Sequence, residues 1–394
     1  MQIAILHHHL NRGGVTQVVL NHLRGLDATL SPGEPAQVAL LYGGRHEGVD
    51  LEQFQNFQAL KVSLRVVPPL DYDTGTTPDD EVLSATIRRT LDEQGFSSGS
   101  TVLHVHNHSL GKNVSLPGAI CQLANDGFHF LLQLHDFAED LRPANYQRLS
   151  AALGAGESQT ATLYPQAPQI HYATLNRRDL NILRDAGVAD PQRHFLPNPV
   201  NEFGEMPSRQ EARQRLEEVF SVQPDVKYVV YPVRGIRRKN LGELLLWAAV
   251  HSDHACFAIT LPALNPVEQT SYHRWVKLAD QLQLACLFET GAPGGLGFLE
   301  NLAAADAIIT TSIAEGFGMV FLEAPMAGRA LMGRNLPEIT ADFVESGMAF
   351  EHLYDQLRVP IEWPGRDTFR QSLTASFRQL ATEYGAPSVI DAEL

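Results

Sequence analysis

Cysteine is scarce in these 394 residues: Cys121, Cys256 and Cys286 stand far apart, with no paired spacing. That argues against a disulfide framework and a thiolate metal site, and toward a reducing, cytoplasmic setting. Basic charge is also short. Thirty Lys and Arg against 45 Asp and Glu leave a formal net charge of −15. Both halves share the deficit, with 14 cations against 20 anions in residues 1–193 and 16 against 25 in the remainder. Nucleic acid is therefore a poor partner, since phosphate neutralisation needs clustered Lys and Arg, and an anionic lipid surface is disfavoured for the same reason. The opening Met1-Gln2-Ile3-Ala4-Ile5-Leu6 lacks the basic flank of a secretory signal, and no apolar run reaches membrane-spanning length. Repeats of solenoid length and low-complexity tracts are missing too.

What the chain does have is alternation. Gln2–Leu6, Ala36–Tyr42, Val62–Val67, Thr101–Val105, Phe128–Leu134 and Ile170–Thr174 read as strands between amphipathic stretches. A second series follows in Lys227–Tyr231, Cys256–Leu261, Cys286–Glu289, Ala307–Thr311 and Ala330–Met332. Strand then helix, repeated, implies an α/β chain with parallel sheets. The length suits two domains of about 200 residues each. Pro197-Asn198-Pro199 reads as the rigid linker between them. The expected division is 1–195 and 196–364, with a terminal helix in about 365–394 packing back on the first domain. Gly154 to Pro168, rich in Gly, Ser, Thr and Pro, reads as a long mobile loop, either an acceptor lid or plain surface.

The densest chemistry lies in Glu315-Gly316-Phe317-Gly318-Met319-Val320-Phe321-Leu322-Glu323. With a strand at Ala307–Thr311 and a helix over Met319–Ala327, Glu315 sits in the connecting loop and Glu323 about two turns on, roughly 12 Å along the axis. The carboxylates then address separate hydroxyl-bearing parts of one ligand, while the Gly316 to Met319 amides hold an anion between them. Read as structure alone, they are a helix-start acid and a solvated helix residue. Arg234 and Lys239, five residues apart after a strand, can grip a diphosphate; Arg237 and Arg238 read as ordinary solvated charges. His135 ends an apolar strand at the ligand-binding edge of a parallel sheet, or else caps a helix. His106 and His108 end another strand. After the first strand, Gly13 and Gly14 allow close backbone approach. The neighbouring His7, His8 and His9 cannot all ligate one ion, since strand residues alternate faces; one packed and one solvent-facing histidine is the expectation.

The pattern E-G-F-G-x-x-x-L-E resembles the glutamate signature of retaining glycosyltransferases of family 4. Arg234 and Lys239 resemble that family's G-R-x-x-x-x-K-G, with Val233 and Asn240 in place of its glycines. Asn198 resembles the asparagine of its P-N-G-V, Pro337-Glu338-Ile339 its later P-E-I, and His135-Asp136 its strand-end His-Asp. The resemblance runs from the first strand to about Ile339 and lapses over 343–363. It implies a GT-B fold: two facing Rossmann-like domains with a cleft between them, acceptor on the first and nucleotide-sugar on the second. It further implies retained anomeric configuration, with His135, Glu315, Arg234 and Lys239 catalytic. Gly14, Asn198, Gly316, Phe317, Gly318 and Glu323 would bind the donor, and Gly13, His106 and His108 would lie on the acceptor side. The first donor candidate is UDP-glucose, then GDP-mannose, with a small soluble acceptor. No cofactor or metal is expected; the D-x-D at Asp71-Tyr72-Asp73 sits in a turn-forming loop. Two other readings stay open: an NDP-sugar epimerase of the same fold, and a non-catalytic sugar-nucleotide-binding regulator.

Overall fold

The computed structural model describes residues 2–30, 36–73 and 75–386. The chain divides into two compact units, Met1–Val200 with Val359–Leu394, and Asn201–Arg358. The end of the expected terminal segment, residues 387–394, lies outside the described residues, as does residue 74 in the D-x-D loop.

The first unit is built on strands β1 (Gln2–His7), β2 (Ala36–Tyr42), β3 (Leu60–Val66), β4 (Thr101–His106), β5 (His129–Leu134), β6 (Ile170–Thr174) and β7 (Arg193–Phe195). Its helices are α1 (Gly14–Thr29), α2 (Asp80–Asp92), α3 (Leu116–Asn125), α4 (Pro143–Leu153), α5 (Glu157–Leu163) and α6 (Arg177–Asp185). All strand pairs are parallel, in the order β3-β2-β1-β4-β5-β6-β7. The sheet is covered on both faces, which explains strands as continuously apolar as Ala39-Leu40-Leu41. One core gathers Leu6, Leu103, Leu132, Ile120 and Ile87; the other gathers Ile5, Val19, Leu23, Leu40 and Phe54.

The second unit repeats the plan after α7 (Arg209–Phe220), with β8 (Lys227–Arg234), α8 (Leu241–Val250), β9 (Ala255–Leu261), α9 (Pro266–Gln281), β10 (Cys286–Phe288), α10 (Phe298–Ala304), β11 (Ala307–Thr310), α11 (Val320–Met326), β12 (Ala330–Arg334), α12 (Pro337–Glu345) and β13 (His352–Tyr354). Its strand order, all parallel, is β10-β9-β8-β11-β12-β13. In both units the order reverses beside the first strand, so the loops after β1 and β4, and after β8 and β11, flank a topological switch point, where such sheets bind ligands. Helix α13 (Arg366–Glu383) returns to the first unit. There the Tyr384 hydroxyl accepts from the Arg142 amide at 2.6 Å and lies 3.2 Å from the Ala138 carbonyl.

Three expectations need correction. The Gly154–Pro168 stretch is not one loop: Glu157–Leu163 is helical, and Leu163 is buried. Helix α11 starts at Val320, one residue after the expected Met319, which is its N-cap; Glu323 lies in its first turn, and Gly318 just before it is in the left-handed region at φ +83. His7 and His8 are both buried, so neither is the solvent-facing partner the alternation suggested; β1 ends at His7 and the chain turns there.

Candidate functional site

In the second unit, the loop after β8 carries the cations and the loop after β11 the carboxylate. Lys239 ends a 3₁₀ turn, Arg237–Lys239, and Asn240 then adopts the left-handed conformation at φ +51. Asparagine is one of the few residues other than glycine that tolerate that region. Thr311 Oγ1 donates to the Lys239 carbonyl at 2.8 Å, and the Ile313 amide to the Arg238 carbonyl at 2.9 Å, which fasten the two loops together.

The Lys239 ammonium then meets the Glu315 carboxylate directly. The Glu315 side chain is 6% exposed and that of Lys239 11%. Arg238 Nη1 donates to Glu315 Oε2 at 2.8 Å and to the Ala314 carbonyl at 3.2 Å. Arg238 is therefore part of the constellation, against its reading as a solvated charge. Adjacent basic residues conceal which one turns inward. Ser312 Oγ donates to Glu315 Oε1 and pairs at 2.6 Å with the Tyr231 hydroxyl. Neither Ser312 nor Tyr231 carries a motif, and sequence reasoning missed both.

Burial alone would raise the Glu315 pKa, but the charges of Lys239 and Arg238 outweigh it and hold the carboxyl below its usual range. Lys239 is lowered, by burial first, with Glu315 opposing. Glu323 differs: burial pushes it up to about 7, Lys239 opposes, and the Glu315 charge adds to the rise. Two carboxyls eight residues apart thus titrate far from each other. Arg234 ends β8 at the same sheet edge. Phe317 is buried against Phe343. A β-carbon on Gly318 would come within 2.5 Å of the Phe321 ring, so packing as well as φ demands glycine there. Gly316 lies in the loop between Glu315 and Phe317, before the helix.

In the first unit, the loop edge is lined with imidazoles. His106 Nδ1 and His135 Nε2 share a hydrogen bond at 2.9 Å. The His135 amide donates to Asn107 Oδ1 at 2.9 Å, with Asn107 at a positive φ of 58°. The His104 ring lies tilted beside that of His106, 4.4 Å between centres, and His22 lies 5.3 Å from His104. Burial lowers all of these, His135 to about 3 and His104 to about 4. His108 bonds the Leu163 carbonyl at 2.8 Å and so anchors α5. His106 Nε2, His7 Nδ1 and His22 Nε2 are buried without a partner among the described residues. Among these residues no three His, Cys, Asp or Glu side chains are arranged to hold a metal ion. Gly13 caps α1 in an extended conformation, and a β-carbon on Gly14 would meet nothing within 4 Å. Asn198 Oδ1 is buried and unpartnered among the described residues. Both D-x-D carboxylates are engaged: Arg45 holds Asp71, and Asp73 Oδ2 accepts from the Val114 amide at 2.7 Å.

No family model matches the chain. It is 27% identical over 354 residues to the mannosylglucosyl-3-phosphoglycerate synthase of Petrotoga mobilis, across 86% of this chain. The chain spans 66% of that relative's length, just under two thirds. Among solved structures, the Anabaena protein HepE, crystallised with UDP and glucose, superposes with a TM-score of 0.57 at 14% identity, covering 100% of this chain and 95% of HepE. Sucrose-phosphate synthase from Thermosynechococcus elongatus gives 0.56 at 13% identity, with 100% and 94% covered. The chain has the GT-B fold, with its two parallel-sheet Rossmann-like units of seven and six strands.

Proposed function

We propose that the chain is a retaining glycosyltransferase that moves a hexose from a nucleoside-diphosphate sugar to a hydroxyl of a small acceptor. The observation that carries this reading is the buried Glu315 carboxylate held between Lys239 and Arg238, with the near-neutral Glu323 on the next helix. Such a constellation suits a ligand that combines anionic and hydroxyl groups. Lys239 and Arg234 offset the charge gathering on the departing diphosphate as the bond from the anomeric carbon to the phosphate oxygen breaks. The acceptor oxygen bonds to that carbon on the same face and gives its proton to the leaving phosphate, so no side-chain nucleophile is needed. Glu315 orients sugar hydroxyls and Glu323 the ribose. His135, kept neutral by burial, would contribute hydrogen bonding instead of charge.

UDP-glucose and then GDP-mannose are the first donors to try. Thermal shift against UDP, GDP, ADP and their glucose and mannose conjugates is expected to single out one diphosphate. Product NMR is then expected to show the donor's anomeric configuration, formed equally well with EDTA present. An inverted product, or a complete loss in EDTA restored by a divalent cation, would overturn the mechanism.

Glu323 supplies a pH signature. With its carboxyl at about 7 in the free protein, a role as acceptor for ribose hydroxyls requires deprotonation on binding. Nucleotide affinity should therefore fall by up to tenfold per pH unit below 7 and level off above it. Because phosphate titrates nearby, the reading is the difference between wild type and Glu323→Gln from pH 5.5 to 8. Superimposable profiles would remove Glu323 from the donor site.

A further inference from the structure

The first unit has a second feature that the transferase reading leaves unused. Around Tyr72, which is 41% exposed, the loops after β2, β3, β4 and β5 bring together Arg45, Lys112 and Arg142. Arg45 lies over the Tyr72 ring at 5.1 Å and the Lys112 ammonium at 5.3 Å. His8 and His9 pack edge-on against the same ring, at 5.3 and 4.9 Å. Arg148, on α4, donates to the Asp73 and Gly111 carbonyls at 3.3 and 3.2 Å, and its charge reaches Lys112.

Most of the anionic charge in this neighbourhood is committed. Asp71 is taken by Arg45 and Asp136 by Arg142 at 2.9 Å; Asp73 Oδ2 accepts from a backbone amide, while its Oδ1 is buried without a partner among the described residues, and Glu47 acts on Arg45 and His9 from the rim. Among the described residues Lys112 has no ion pair, only the face of Tyr72 and two like charges, Arg142 and Arg148. Half-burying an ammonium without a carboxylate is costly, and in a chain of net charge −15 carboxylates were available to pair it. The position matters as well, since these loops leave the carboxyl ends of parallel strands, where open α/β sheets hold small ligands.

We propose that Lys112, Arg142 and Tyr72 receive an oxyanion, the phosphate or carboxylate of an acidic acceptor. This rests on the glycosyltransferase reading only for the word acceptor; the anion site stands or falls separately. Lys112 supplies a point charge, Arg142 a planar fork once it turns from Asp136, and the Tyr72 hydroxyl a neutral donor. The acceptor's reacting hydroxyl would lie on the part of the molecule away from its anionic end.

Calorimetric titration of the full chain with glycerol 3-phosphate, D-glycerate and glycerol tests this. At least one of the two anions should bind, glycerol should not, and Lys112→Gln should weaken the anion at least tenfold. Binding of one nucleoside diphosphate should be unchanged in that variant, which keeps the donor site as an internal control. Whichever anion binds identifies the headgroup. Equal anion binding by wild type and Lys112→Gln, or none in a wild-type protein that still binds its nucleotide, would overturn the proposal. Anion binding that depends on Lys112 in a protein without any transferase activity would leave the site standing and remove the acceptor interpretation.

Discussion

Replacing Lys239 with alanine is expected to lower sugar transfer by about 10²–10³-fold, the usual scale for removing one preorganised charge from a developing anion. The same change strips Glu315 of its main counter-charge. Breaking a buried pair on one side costs about 3–5 kcal/mol, and Arg238, 34% exposed and already bonded to Glu315, should recover part of that. Two readouts separate the effects. Urea midpoints report the lost pairing, whereas turnover of the folded protein at saturating donor reports the lost stabilisation of the leaving group. Glu315→Gln, which keeps the shape and removes the charge, should restore stability in the Lys239→Ala background without restoring turnover. If Lys239→Ala turned over at the wild-type rate, the cation would have a purely structural task.

The first unit should lose stability steeply between pH 6 and 4.5. The sign follows from the histidines. His104 and His108 lie at about 4 and His135 at about 3, with His7 and His106 well below 6.5. Burial is the first cause for each. A histidine depressed on folding costs nothing above its unfolded pKa of about 6.5; below it, the unfolded chain takes up protons that the folded one refuses. Each group then removes about 1.4 kcal/mol per pH unit until its folded pKa is reached. The three with values alone give about 4 kcal/mol per unit near pH 5, against a total stability of about 5–15 kcal/mol for an ordinary domain. Asp179, raised by burial to about 6, and Glu139, also raised by burial, act in the opposite direction, but they are two carboxyls against the five histidines. Hydrogen exchange at pH 7 and 5 should show strands β4 and β5 losing protection while β8 and β9 keep theirs. Equal protection in the two units at pH 5 would sink this account.

The strand-by-strand layout was readable because buried parallel strands leave unbroken apolar runs. Lys227–Tyr231 and Ala307–Thr311 announce themselves in this way. What was missed had no such run: β7 and β13 are three-residue edge strands of mixed exposure, Arg193-His194-Phe195 and His352-Leu353-Tyr354. At the site, Glu315, Glu323 and Lys239 were legible because charge at fixed spacing survives any rearrangement of the chain between them. Arg238 was not, since only the turn of the 3₁₀ segment decides which neighbouring cation faces Glu315. The Ser312–Tyr231 pair was equally hidden: its hydroxyls lie 81 residues apart, and hydroxyl-bearing residues are common enough that neither stands out alone. The imidazole cluster lay in plain view as His7, His104, His106 and His135, yet its burial depends on a strand order that local pattern does not reveal.

The route of α13 has a consequence for biosynthesis. Tyr384 closes on Ala138 and Arg142, and the first of these lies 246 residues earlier in the chain. At translation rates of about 5–20 residues per second, the ribosome needs roughly 12–50 seconds to cover that distance. Throughout that interval the half of the protein made first waits with α4 uncovered, including the Tyr146 ring that later packs on Tyr384. The half made second has all of its strands before the last helix exists. The first unit therefore gains its Tyr384 contacts only after every strand of the second has been made.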